Sequence, residues 1–140
     1  MTKLVVDASV AAKWVFPEEH SEAAGRLLTG NRELWAPDLI WAETGNIAWK
    51  KHRRGEVSEE AARTILLDFR RFPLQTHPSE KLLAAAWELA TGLDRSFYDS
   101  LYLALALHQG CFMVTADRRL YNALTNVPVR LPVVWVGDVS

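Results

Sequence analysis

An α/β fold built on a parallel sheet is predicted by three features of this chain. Short apolar runs alternate with longer helical patterns, as βαβ units require. Two of those runs close on an aspartate, Leu4-Val5-Val6-Asp7 and Val114-Thr115-Ala116-Asp117, and open α/β sheets place ligands beyond the carboxyl ends of their strands. The 140 residues, 49% of them hydrophobic, suffice for one core without covalent staples.

The elements follow in order. Leu4-Val5-Val6 is a short buried strand. Residues 9–16 are helical and Pro17 stops them. A second helix covers 21–28 and ends near Gly30. Leu34-Trp35-Ala36 is a strand closed by Pro37. From Asp38 the pattern is helical to Arg54, with Gly55 after a basic end. Ser58-Glu59-Glu60 opens a helix that runs to Arg71, with acids in its first turn. Pro73-Leu74-Gln75-Thr76 reads as a strand, and Ser79 begins a helix that ends near Gly92. Ser96 starts a helix over 97–109 so apolar that it has to be buried. A strand over 112–115, a short helix over 118–124 and a strand over 133–136 complete the chain. The helices after Gly55 pair up with little strand signal between them, so part of the chain is expected to form a helical clip.

Composition narrows the function. A formal net charge of -1 argues against a protein devoted to coating nucleic acid, while leaving room for a local basic patch. The one cysteine, Cys111, excludes an internal disulfide and reads as a small buried hydrophobe, in keeping with a reducing compartment. The N-terminal apolar segment meets Asp7 too soon for a signal peptide, and no uncharged stretch is long enough to span a bilayer. There is no internal repeat or low-complexity tract.

Four acids stand out. Asp7 follows the first strand directly and can be a ligand or simply the cap of the next helix. Glu43 shares a helix face with Leu39, Ile40, Asn46 and Ile47. That face is expected to point inward, where an unpaired carboxylate needs a cation, a metal or a proton. A boundary glutamate paired with a base is the alternative. Asp99 stands three residues after Ser96, at the rim of the buried helix, and fits a capping box equally well. Asp117 closes a strand and could also cap. Convergence of the four would demand a hard cation such as Mg²⁺ or Mn²⁺. His20, His52, His77 and His108 are scattered, so nothing suggests zinc.

Basic residues gather at Lys50, Lys51, Arg53 and Arg54, with Arg70-Arg71 and Arg118-Arg119 elsewhere. They read either as solvated helix ends or as a phosphate-guiding rim around an acidic pit. Trp41 and Trp49, two of six tryptophans, flank Gly45 near one helix face and read as core rather than as a partner groove.

Four segments, taken together, carry a resemblance. They are Leu4-Val5-Val6-Asp7-Ala8-Ser9, then Ala36-Pro37-Asp38-Leu39 leading to Glu43 and Asn46. Phe97-Tyr98-Asp99-Ser100-Leu101-Tyr102-Leu103-Ala104-Leu105-Ala106 and Val114-Thr115-Ala116-Asp117-Arg118-Arg119-Leu120 follow. In this order, over nearly the whole chain, they resemble PIN domains, and within them the VapC-type toxins of bacterial and archaeal toxin–antitoxin pairs. The resemblance implies one PIN-like α/β/α sandwich with a central parallel sheet over residues 1–140. It implies a cytoplasmic endoribonuclease that uses Mg²⁺ or Mn²⁺, acts on RNA, forms a homodimer and is inhibited by a cognate antitoxin. Carried over residue by residue, Asp7, Glu43, Asp99 and Asp117 are the catalytic and metal-holding acids, with Ser9 and Thr115 in support. Asp94 is an extra acid that reads as solvated. Arg118 and Arg119, directly after Asp117, are the preferred RNA contacts.

Three rivals remain. An aspartate-nucleophile phosphohydrolase would start the same way but needs a second aspartate where Ser9 stands. A phospho-acceptor receiver domain needs adjacent acids and a strand-end lysine that are missing. A catalytically silent PIN-like RNA-binding module is opposed by the full set of acids.

Overall fold

The computed structural model describes residues 2–140. Met1, which the one-domain reading included, lies outside the described residues. The elements run β1 (Thr2–Val6), α1 (Ala8–Val15), α2 (Ser21–Arg26), β2 (Arg32–Pro37), α3 (Leu39–Arg53) and α4 (Glu59–Phe69). They continue as β3 (Leu74–His77), α5 (Leu83–Leu93), α6 (Phe97–Gln109), β4 (Phe112–Thr115), α7 (Arg118–Thr125) and β5 (Val133–Trp135). The five strands form one sheet in the order β3-β2-β1-β4-β5. Every pairing is parallel, with Val5 opposite Trp35 on one side and Met113 on the other.

Strand order and handedness place the layers. From β1 the chain steps outward through β2 to β3, then returns across the sheet to β4 and β5. Right-handed crossovers put the first set of helices on one face and the second on the other. Accordingly α1 packs on α2, α3 and α4, while α6 packs on α5 and on β1, β2 and β4. The reversal of direction falls between β1 and β4, the switch point at which such sheets open a crevice. Both strand-end aspartates belong to these two strands.

The core is apolar and continuous across the centre. Val5, Val6, Met113 and Val114 are fully buried in β1 and β4, and every residue of α6 from Ser100 to Ala106 is buried. A helix covered by sheet on one side and by α5 on the other has no polar face to spare. Gly110 ends it with φ +65, a left-handed turn that a side chain would strain.

The structure corrects several expectations. The segment that begins at Ser79 is a 3₁₀ turn over Ser79–Leu82 before α5. α4 stops at Phe69 rather than Arg71, and Val136 belongs to a 3₁₀ turn rather than to the last strand. The helical clip is the α3–α4 pair around Gly55, with β3 separating it from α5. Cys111 is half-buried, not fully buried. Trp41 and Trp49 are exposed, at 36% and 52%. The inner row of α3 is Ile40, Thr44 and Ala48, so Trp41 and Trp49 fall on the adjacent, outer row. Trp41 leans edge-on against Phe69 and Trp49 lies beneath Arg53.

Burial along α6 sets a stability contrast. Leu105 is fully buried and Leu107, two residues on, is 49% exposed. Leu105→Ala is expected to cost about 2–5 kcal/mol through lost contacts and a cavity, whereas Leu107→Ala stays within about 0.5 kcal/mol. Urea denaturation midpoints of the two variants check this.

Candidate active site

Three helix N-termini meet the carboxyl ends of β1 and β4, and each carries an acid. Asp7 is the N-cap of α1, and its Oδ1 accepts from the Val10 N–H at 3.2 Å. Asp117 is the N-cap of α7, accepting from the Leu120 N–H at 3.2 Å. Ser96 caps α6 by accepting from the Asp99 N–H at 3.0 Å, which sets Asp99 in the first turn. The capping explanations for these acids are therefore correct, and they do not compete with the functional one. A cap holds its carboxylate at the sheet edge, beside the positive end of a helix dipole.

Asp7 is the most constrained of the four. It is 6% exposed. Its Oδ1 accepts from Ser9 Oγ at 2.5 Å and its Oδ2 from Thr115 Oγ1 at 2.5 Å. Ser9 Oγ in turn accepts from the Ala116 N–H at 2.9 Å, and Thr115 Oγ1 from the Asp117 N–H at 3.1 Å. Two hydroxyls thus tie the end of β1 to the end of β4. Burial pushes the Asp7 carboxyl up to about 6, against the lowering effect of Ser9, Thr115 and the Val10 N–H; the charge of Asp99 adds to the rise.

Glu43 and Asp99 are half-buried, and Asp117 is exposed. Burial raises the Glu43 carboxyl, Tyr102 offsets part of the rise and Asp99 adds to it. Burial also raises Asp99, with Ser96 opposing it, Asp117 adding to the rise and Arg95 lowering it. Asp99 therefore lies within electrostatic reach of each of Asp7, Glu43 and Asp117. Asp94 lies apart, exposed at the left-handed C-cap of α5.

Tyr102 is a site residue that sequence reasoning missed. It lies one turn beyond Asp99 on α6 and is 2% exposed. Burial and the charges of Glu43, Asp7 and Asp99 hold its phenol well above the ordinary range, so it stays protonated. The hydroxyl faces Glu43 closely enough to favour its ionised form, yet Tyr102 Oη and Glu43 Oε1 do not complete a hydrogen bond, and both are buried without a partner. A phenol in the apolar stretch 101–107, three residues after an acid, was the available signal.

The donor set suits a hard divalent cation. All four acids offer oxygen, and the orphaned Glu43 Oε1 is a buried acceptor that needs a partner. Among the described residues no three acidic, histidine or cysteine side chains close into a cage. Mg²⁺ does not require one, because it keeps several waters and binds through one or two carboxylates. At the rim Arg118 lies flat on Trp135, 3.7 Å from the ring centroid, with Tyr121 at 5.7 Å. Arg119 is exposed beside it.

Burial of Asp7 yields a pH signature. The folded chain keeps the Asp7 proton up to about pH 6, whereas an unfolded chain loses it near 3.8. The folded state thus binds more protons between these values, and stability falls as pH rises through that window. Moving a carboxyl from 3.8 to about 6 corresponds to ~3 kcal/mol. Asp7→Asn is therefore expected to stabilise the metal-free chain by about 1–3 kcal/mol above pH 7, with the gain fading toward pH 4. Thermal unfolding of both proteins in EDTA across that range checks the sign.

Comparison with known proteins gives a consistent picture. A family model described as PIN domain matches residues 4–124. Ribonuclease VapC3 of Pyrobaculum aerophilum is 39% identical over 120 residues, which cover 84% of this chain and 92% of that protein. The crystal structure of VapC20 from Mycobacterium tuberculosis, a sarcin–ricin loop cleaving toxin, superposes with a TM-score of 0.67 at 21% identity, covering 91% of this chain and 98% of that one. VapBC2 from Rickettsia felis, crystallised with a DNA fragment from its promoter, gives a TM-score of 0.68 at 15% identity, covering 96% and 98%. At those identities the two structures speak for the fold alone. The match of the family model over most of its length places this chain in the PIN-domain family.

Proposed function

We propose that this chain is a single-domain VapC-type endoribonuclease, the toxin of a toxin–antitoxin pair, acting in the cytoplasm. The observation that carries the reading is the gathering of Asp7, Glu43, Asp99 and Asp117 at the β1/β4 switch point, in a chain 39% identical to a VapC ribonuclease. Among the described residues no helix is long and apolar enough to cross a membrane.

Asp7, Glu43, Asp99 and Asp117 would hold Mg²⁺ or Mn²⁺, which when bound supplies charge neutralisation at the scissile phosphate and a water of lowered pKa. The chain's residues prepare that chemistry. Ser9 and Thr115 aim the oxygens of Asp7; Oδ1 is filled by Ser9 and the Val10 N–H, while Oδ2 keeps a lone pair beyond the Thr115 bond. Tyr102 stays protonated and faces Glu43, offsetting part of the rise that burial imposes on that carboxyl. Arg118, the residue after Asp117 in sequence, is braced on Trp135 and would offer its guanidinium to a phosphate. Water attacking phosphorus displaces the 3′ oxygen, which takes up a proton. The products carry a 5′-phosphate and a 3′-hydroxyl.

Two partners belong to the reading. A cognate antitoxin would restrain the enzyme, and the open apolar cleft of Trp41, Leu66, Phe69 and Arg70 offers it a docking place. A homodimer is supported by exposed apolar side chains on α5 and α6, where Leu83, Trp87, Tyr98 and Leu107 are 48–61% exposed.

Single-stranded RNA incubated with the protein should be cut with Mg²⁺ or Mn²⁺ and left intact in EDTA. Asp99→Asn should slow cutting by about 100-fold or more, because one carboxylate beside three others is lost. Cleavage that persists in EDTA at the parent rate would defeat the proposal. Sedimentation equilibrium should give a dimer at micromolar concentration that Trp87→Glu converts to monomer; a parent that runs as a monomer removes the dimer from the reading.

A further inference from the structure

Beside the acids, and joined to them through Ser9, lies a second feature that the reaction itself does not need. A cleft of ≈ 270 Å³ runs between α1 and α3, and Ser9, the residue that donates to Asp7 Oδ1, stands at its mouth. Its walls carry Lys13 from α1 with Lys50, Lys51 and Arg54 from α3 and its C-cap. On α3, Glu43, Ile47, Lys50 and Arg54 are spaced four, three and four residues apart, which is one helical stripe. That stripe leads from an acid of the site to the base-lined cleft. Ser9 and Lys13, four residues apart on α1, form the facing stripe.

The one carboxylate within the cleft is unusually placed. Glu18 Oε1 lies 3.2 Å from Lys13 Nζ, and Glu18 Oε2 lies 3.3 Å from Lys51 Nζ. A carboxylate that spans two lysines across a groove, one oxygen to each, has the geometry of a bound phosphate. Lys51 is further fixed over the Phe16 ring at 5.0 Å. Lys50 forms no ion pair among the described residues, and Arg54 meets only Glu56, at 3.9 Å. Glu56 also stands 3.9 Å from Lys51, so four bases face one carboxylate inside the cleft and a second outside its lining, and the cleft keeps a net positive charge although the chain as a whole carries -1.

We propose that this cleft is a subsite for the sugar–phosphate backbone of single-stranded RNA flanking the scissile bond, and that Glu18 is its built-in phosphate mimic, displaced when the backbone enters. The proposal rests on the ribonuclease reading and adds to it where the substrate's neighbouring nucleotides lie. Lys50 and Arg54 make the first phosphate contacts, because they are the least committed. Lys13 and Lys51 exchange Glu18 for phosphate.

The two roles of charge give effects of opposite sign. The test is fluorescence anisotropy of a labelled 12-nucleotide single-stranded RNA on the full chain in EDTA, where nothing is cut, at several salt concentrations. Lys50→Ala/Arg54→Ala should weaken binding about tenfold and flatten the slope of log Kd against log salt by about 1.4, the value for two lost single-strand phosphate contacts. Glu18→Gln should tighten binding about threefold, since it removes the competing anion without changing shape. Arg63→Ala/Lys81→Ala, which removes two positive charges elsewhere, should change it by less than about twofold. In cleavage assays the double variant should raise KM while kcat moves less than about twofold. Lys50→Ala alone, at an exposed and unpaired residue, guards against a folding artefact.

A parent that cuts RNA, with groove variants that bind and cut as it does, overturns this inference and leaves the ribonuclease reading intact. Weaker binding by Glu18→Gln, with a lowered unfolding temperature, would make Glu18 a structural staple only. If the groove variants lose affinity for hexaglutamate but not for RNA, the cleft receives an acidic protein segment instead. A parent that neither binds nor cuts RNA defeats the function itself.

Discussion

Keeping the carboxylate of Asp7 out of water is the constraint on which the rest of this structure depends. A buried, ionised group at the end of a central strand is tolerated only when its oxygens are satisfied, and here three donors come from two elements. Ser9 and the Val10 N–H belong to α1, and Thr115 belongs to β4. The same hydroxyls accept from the Ala116 and Asp117 N–H groups, so satisfying Asp7 also fixes the turn that presents Asp117. Strand pairing, helix capping and site geometry are one hydrogen-bonded unit at the β1/β4 junction.

That unit explains why the neighbouring acids can be close without forming a sealed cage. Three of them begin helices, and a helix N-terminus offsets part of a negative charge. The fourth, Glu43, lies within α3 and has no cap to soften it. It is also the acid whose buried oxygen is left unpartnered. The site thus folds while leaving a buried acceptor unsatisfied, the balance that the proposed cation chemistry would call for.

Much of this was legible in the sequence because it is local. An apolar strand that ends in aspartate, a serine three residues before Asp99 and a proline after a helix each act over a few residues. The ambiguity between cap and ligand at Asp7 and Asp117 was real; the fold shows both as caps, with the carboxylates held at the carboxyl ends of β1 and β4. What could not be read depends on contacts distant in the chain. Trp41 and Trp49 were placed in the core because their spacing is helical, but which row of α3 faces inward is decided by α1 and α4. Asn46 shares a face with Glu43 and is nevertheless exposed, since that face runs out at the rim. Tyr102 was hidden in an apolar run, and nothing near Lys13 in sequence announces that Glu18 ties it to Lys51.

The near-neutral net charge conceals a separation of charge along a single helix. α3 carries an acid of the pit in its first half and the bases of the cleft at its far end. A rigid helix rises about 1.5 Å per residue, so Lys50 stands roughly 10 Å along the axis from Glu43 and Arg54 about another turn beyond. If the proposed cleft holds the RNA backbone, a strand held at the far end would be metered against the cutting end, with the helix as a ruler. Selection of a cleavage position can then arise from counted nucleotides along a backbone rather than from bases read one by one. Lengthening α3 by a single residue would turn the two ends out of phase by about 100°.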